Sequence, residues 1–401
     1  MNTTFRGKVL VSGASIAGPA LAYWLHQYGF DVTVVEKAGA LRSGGYPIDL
    51  RGPAVDVAER MGILPQLRAA HVNTRRLTFL NPDGSTIARL NPNSLMHGND
   101  GRDLEIRRGD LGDVLYAATR DGVAYRFNDS ISGLGQDDDG VDVTFGSGDR
   151  QRFDLVVGAD GLHSRTRELT FGAEEQFHHY IGYCFAGFSL PNTFGLSHEA
   201  VLWSKPGKAA ALYAVRDYPE VTGLLNFARP EPPYSAFRNP EAQRELVAEV
   251  FAGEGWEIPG LVDAMRSADD LFFDVVSQIR MPNWSSGRVA LVGDAAHAPS
   301  FLTGQGSSLA MVGAYLLAHA LATHEDHAAA FAAYEDSARG FVELNQNLVG
   351  EGDATLFPAT DEAMVARNEM LRQLSELPPG ELRPEHYAIT LPDVLSRVDS
   401  H

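Results

Sequence analysis

Lys8-Val9-Leu10-Val11-Ser12-Gly13-Ala14-Ser15-Ile16-Ala17-Gly18-Pro19, followed by Val32-Thr33-Val34-Val35-Glu36-Lys37, decides how this chain is read. A short apolar run, a glycine turn and an apolar-periodic segment predict strand, tight turn and helix. A second β-rich run ending in an acid completes one βαβ unit. Gly13 permits the turn, Gly18 lets the helix pack close to the strand, and the helix N-terminus suits a pyrophosphate. Glu36, 18 residues beyond Gly18, stands where a carboxylate accepts hydrogen bonds from an adenosine ribose. Ser15 occupies the place of the middle glycine in the usual G-x-G-x-x-G. It narrows the room for a phosphate but brings a hydroxyl that can donate to one.

The rest of the composition bounds what this unit serves. A chain of 401 residues, 44% hydrophobic and 21% charged, can bury a sizeable core shared by two joined domains. The 33 basic and 52 acidic residues give a net charge of −19, which argues against nucleic acid or an anionic membrane surface as partner. The single cysteine, Cys184, leaves no internal disulfide and no multi-cysteine metal site. No metal-ligand spacing occurs; His178 and His179 are adjacent and would point to opposite faces of a strand. No signal segment precedes the first strand and no apolar run reaches a membrane span, so the expected compartment is the cytoplasm.

Further along, helices are expected over Ala20–Tyr28, from Pro53 towards Met61, and from Asp110 through Thr119. Loops are expected over Ala38–Gly45 and 97–102. Strands are expected over 74–95 around Asn81-Pro82-Asp83-Gly84, and over 123–145, broken by the acidic turn at Asp137. A buried strand at Phe153–Val157 enters the turn Gly158-Ala159-Asp160-Gly161. From Phe177 to Arg229 the chain alternates with a two-residue period, Leu212 and Ala214 facing away from Tyr213. Helices at 240–252 and towards Arg266 precede a strand at 271–279. Gly287–His297 then reads as strand and turn, and Gly304-Gln305-Gly306 opens a long helix to Thr323. Helical patterns follow over Ala328–Val349 and Asp361–Leu377. Pro378-Pro379-Gly380 stops the last one, ahead of an extended tail.

Three separated motifs, the Gly13–Gly18 turn, Asp160-Gly161 and Gly293-Asp294, stand in the order found in the class A flavoprotein monooxygenases. Over residues 6–350 the sequence resembles this para-hydroxybenzoate hydroxylase-like group. Within the group it is most similar to the tetracycline-inactivating monooxygenases and the aromatic polyketide hydroxylases of antibiotic pathways. The resemblance implies a mixed α/β fold: a Rossmann-like FAD-binding domain with an inserted β-sheet substrate domain and C-terminal helices. It implies a discontinuous FAD domain over 1–73, 103–176 and 280–350, a substrate domain over 74–102 and 177–279, and a C-terminal helix and tail over 351–401.

The resemblance also implies roles. Gly13, Ala14, Ser15, Ile16, Ala17 and Gly18 would surround the FAD pyrophosphate, with Glu36 on the ribose and Lys37 near the adenine or simply solvated. Arg108, or its neighbour Arg107, would hold ribityl and phosphate oxygens. Asp294 would take the ribityl hydroxyls. Asp160 would lie near the phosphates and the nicotinamide route, or else cap its own turn. Gly304, Gln305 and Gly306 would bring a helix N-terminus to the flavin edge that gains negative charge on reduction. Phe301 stands where many members have proline. His297, tempting as a base, reads as structural, and no catalytic acid or base is assigned.

Candidate substrate contacts are Phe185, Tyr213, Asn226, Phe227 and Phe301. The implied reaction is reduction of bound FAD by transient NADPH or NADH, reaction with O2, and oxygen transfer to a small aromatic substrate through a flavin C4a-hydroperoxide. A reductase without oxygen insertion, or a flavin-binding protein that has lost catalysis, are the alternatives.

Overall fold

In a computed structural model of the chain, residues 7–41, 45–96, 98–99, 101–237, 239–356, 358–376 and 381–395 are described. Parts of the expected loops at 38–45 and 97–102, the Pro378-Pro379-Gly380 stop and the last residues of the tail lie outside them.

The opening βαβ unit forms as its pattern predicts: strand Lys8–Ser12, helix Ala17–Gln27, strand Asp31–Glu36. The two strands pair in parallel, and their valines are buried among helices on one side and a smaller sheet on the other. The helix must sit close. A Cβ on Gly18 would fall 1.9 Å from the Gly13 carbonyl oxygen, so only glycine allows this approach. Gly29, at φ +87°, ends the helix where a side chain would be strained.

Around this unit a six-stranded sheet runs in the order Ser285–Ser286, Val289–Leu291, Leu155–Gly158, Lys8–Ser12, Asp31–Glu36, Ala124–Phe127. Three distant stretches of sequence thus meet as neighbouring parallel strands, and each ends in one of the three motifs. Helix Gly306–Thr323 packs against helix Ala17–Gln27, and 15 of its residues are buried. By length and composition this helix could cross a membrane, contrary to the expectation from sequence, but 83% of it is buried inside the molecule. Its apolar character is that of a core helix.

A second, seven-stranded sheet is ordered Phe272–Ile279, His178–Pro191, Glu220–Ala228, Lys208–Ala214, Glu199–Lys205, Arg76–Leu80, Thr86–Leu90. One face packs Cys184, Leu212, Leu225 and Phe227 under helices Pro240–Val250 and Ile258–Ser267. The other face looks back towards the parallel sheet. A two-stranded ribbon, Pro47–Leu50 with Leu104–Arg107, stands between the two. Helix Asp361–Glu376 closes the far edge, burying Leu371 with Leu77, Phe79 and Leu90. The short helices Leu64–Ala70 and Val349–Leu356 have no counterpart in the sequence pattern, and helix Pro92–Met96 replaces the end of the strand region expected to reach 95.

Candidate active site

One cavity of about 810 Å³ runs from the carboxyl ends of the parallel strands to the inner face of the seven-stranded sheet. Open α/β sheets place ligand crevices at these strand ends, because the loops there can diverge and helix N-termini converge.

At the strand end, Gly13, Ala14, Ser15, Ile16, Ala17, Glu36, Lys37, Arg108, Asp160, Asp294, Gly304 and Gly306 all line the cavity. Gly18 and Gln305 do not: Gly18 serves packing, and Gln305 is buried at the N-terminal boundary of helix Gly306–Thr323. Glu36 does more than face a ligand. Its carboxylate oxygens accept from the Ala14 and Ala38 N–H groups, both at 2.9 Å, and so tie the glycine turn to the second strand. Arg108 Nη2 donates to Ser15 Oγ at 2.9 Å, which holds the guanidinium over the turn and leaves the serine proton free to be donated. Arg107, in contrast, is forked onto Asp110 at 2.7 and 2.9 Å and lies 4.7 Å over the Tyr218 ring, off the cavity.

Asp160 is fully engaged. It accepts from Ser164 Oγ at 2.5 Å and from the Thr166 N–H and Oγ1, each at 2.9 Å, so it organises its own turn while lining the cavity. Asp294 is the opposite case. Its side chain is exposed to the cavity, and among the described residues no protein donor reaches its carboxylate. Desolvation pushes its carboxyl above the usual range and the charge of Asp274 adds to this, while Arg108 draws it down. A carboxylate that faces the cavity with no protein donor keeps its lone pairs open for ligand hydroxyls. The N-terminus of helix Gly306–Thr323 opens alongside, with a Cβ on Gly306 only 3.9 Å from Asp294 Oδ1. Before it, Ser300 is held at φ +78°, a strained value for a non-glycine residue.

His297 is 1% exposed, packed on Trp284 and Tyr334, and burial pushes its pKa down to about 4. It does not line the cavity.

At the sheet end, Phe185, Tyr213, Asn226 and Phe301 line the cavity. Phe227 does not, which corrects the sequence reading. Asn226 pairs across strands with Phe185, and Phe227 with Cys184, so the two-residue period turns Phe227 into the opposite core. Phe301 meets Phe185 with ring centroids 4.9 Å apart.

Several cavity residues had no signal in the sequence. Glu105 sits directly across the ribbon from Asp49. Burial and this neighbouring charge both raise its pKa, although Thr74 Oγ1 (2.5 Å) and the Tyr213 hydroxyl donate to it. Arg51 relieves the pair by holding Asp49 at 2.9 Å. No local pattern sets Glu105 apart; the pairing of two strands distant in sequence half-buries it beside Asp49. His163 bridges Glu174 at 2.7 Å and Asp274 at 3.1 Å, linking the Asp160 turn to the seven-stranded sheet.

Comparisons with known proteins bear on the chain as a whole. A family described as FAD binding domain matches residues 6–345. An uncharacterized protein of Mycobacterium tuberculosis is 44% identical over 345 residues, 86% of this chain and 92% of its own. A protein named flavin-dependent monooxygenase, from an unknown prokaryotic organism, is 38% identical over 394 residues, 96% of this chain and 98% of its own. The crystal structure of tetracycline destructase Tet(55) is similar with a TM-score of 0.82 at 37% identity, covering 98% of this chain and 100% of the other.

Proposed function

The chain belongs to the FAD-binding flavin-dependent monooxygenases, and from that membership we propose that it hydroxylates an aromatic or polycyclic, polyketide-like small molecule with NAD(P)H and O2. The observation that carries this reading is the single continuous cavity, polar and glycine-lined at the strand ends, apolar and aromatic beneath the seven-stranded sheet.

The residues fit FAD. Ala14–Ala17 at the start of the first helix and the free proton of Ser15 suit the pyrophosphate, with Arg108 as its cation. Glu36 keeps lone pairs for ribose hydroxyls beyond its two backbone bonds, and Lys37 borders the same end. Asp294 supplies the ribityl acceptor. When bound, FAD supplies hydride acceptance and oxygen activation. What the protein adds is placement and polarity. The N-terminal dipole at Gly304–Gly306 favours negative charge at that point of the cavity. Phe185 and Phe301, their rings tilted by 58°, and the alanines of the sheet face offer an apolar surface that orients an aromatic ring and keeps water away.

On this reading the FAD part comprises 1–73, 103–176 and 280–350, and the substrate part 74–102 and 177–279. The test is steady-state NADPH and NADH oxidation by the FAD-loaded enzyme against a panel of polycyclic aromatic phenols. Acceleration by members of the panel supports the proposal. A purified chain that neither retains nor binds flavin would overturn it.

A further inference from the structure

Arg367, on helix Asp361–Glu376, lines the cavity at the end away from Phe301, yet is only 4% exposed. Its Nε donates to Asn368 Oδ1 at 2.9 Å and its Nη2 to Ser204 Oγ at 2.8 Å, with Met364 Sδ at 3.4 Å. Nη1 has one long contact, 3.4 Å, to the Thr355 carbonyl. Every one of these partners is neutral. A guanidinium carries five N–H donors, so at least one on Nη1 stays uncommitted. Buried charges in folded proteins are normally paired, and each of the other arginines buried as deeply, Arg51 and Arg167, has a carboxylate: Asp49 at 2.9 Å and Glu174 at 2.7 Å. Arg367 has none among the described residues.

The sheet register gives the distance to the other end of the cavity. Ser204 pairs with Ala209, Ala209 with Asn226, and Asn226 with Phe185, which meets Phe301. All five line the cavity. Three strand spacings separate Ser204 from Phe185, about 14 Å. Alanine and asparagine form the sheet face between them, and Leu356 of helix Val349–Leu356, packed with Ala209 and Phe185, lines the same stretch of the cavity.

We propose that Arg367 is the counter-charge for an ionised oxygen acid, a carboxylate or an ionised enol, carried at the distal end of an elongated fused-ring substrate. The inference rests on the reading of this cavity as the substrate site and narrows the substrate class. A single-ring compound cannot reach from the Phe185–Phe301 pair to Arg367; a linear polycyclic acid can. The planar fork of the guanidinium matches a delocalised oxyanion better than an ammonium would.

The test uses FAD-loaded enzyme and three probes: anthraquinone-2-carboxylate, anthraquinone-2-carboxamide and benzoate, with affinity read from the change in flavin absorbance. Wild type should bind the anthraquinone carboxylate about tenfold or more tightly than the carboxamide, and benzoate more weakly than either. Arg367→Gln should lose that preference while retaining FAD. Because Arg367→Gln can also loosen the helix, Ser204→Asp is the second variant. It supplies a carboxylate from within, and should abolish the preference without lowering the melting temperature. No preference in wild type, or a preference that survives both variants, overturns the inference. A chain that binds no FAD overturns the proposed function instead, and the two failures are therefore distinct.

Discussion

Ser15 and Asp294 show how individual side chains give the strand end of the cavity its character. Ser15 departs from the glycine fingerprint, and its hydroxyl accepts from Arg108 while keeping its own proton available. On the proposed reading, Ser15→Ala removes both a donor to phosphate and the anchor of Arg108. FAD affinity, measured by equilibrium titration of apoprotein, should weaken by about 1.5–3 kcal/mol. Equal or tighter binding would mean that the hydroxyl only crowds the site. Asp294→Ala should cost FAD affinity about 1–3 kcal/mol per unmade hydrogen bond. Its loss costs the apoprotein little, since the carboxylate faces the cavity and accepts from no protein donor among the described residues. The apo form should therefore melt close to wild type. A badly destabilised apo form with intact FAD affinity would show that Asp294 is structural.

Between elements, close approach and linkage matter more than any one contact. The helix Ala17–Gln27 meets the first strand only because Gly18 lacks a Cβ, which would otherwise stand 1.9 Å from a backbone oxygen. Gly18→Ala should lower apoprotein stability by about 1–3 kcal/mol or more, read by denaturant unfolding. A neutral result would show that the helix can shift outward freely. His163 joins the Asp160 turn to the seven-stranded sheet through Glu174 and Asp274. Partial burial works against its charge, but the hydrogen bonds to Asp274 and Glu174 and their negative charges prevail, and its pKa is pushed from 6.5 up to about 9. A raised folded-state pKa means stability that is fully present below about pH 6.5 and lost as pH rises through about 9. The melting difference between wild type and His163→Gln should therefore shrink as pH is raised across that window. A difference that widens instead would contradict the linkage.

At the scale of the whole molecule, what could be read in the sequence followed from locality. The three motif turns, the long helix from Gly306 and the helix and strand succession were legible because hydrophobic period, glycine and caps act within a few residues. Phe227 was misread for want of a face assignment: its neighbour Asn226 lines the cavity, so Phe227 cannot. Glu105 and Arg367 were invisible for another reason. Their surroundings come from the ribbon that sets Glu105 opposite Asp49 and from a C-terminal helix that packs on the edge of the seven-stranded sheet and extends Arg367 to Ser204, neither of which any local pattern encodes.

On the proposed function, this one cavity brings bound flavin and an aromatic substrate together for oxygen insertion. The most direct test is mass spectrometry of the product formed from an accepted polycyclic substrate, NAD(P)H and oxygen-18 gas. Oxygen insertion gives a product carrying one oxygen-18 atom, formed in step with NAD(P)H consumption. An unlabelled, dehydrogenated or reduced product, with the label recovered only in hydrogen peroxide, would contradict it.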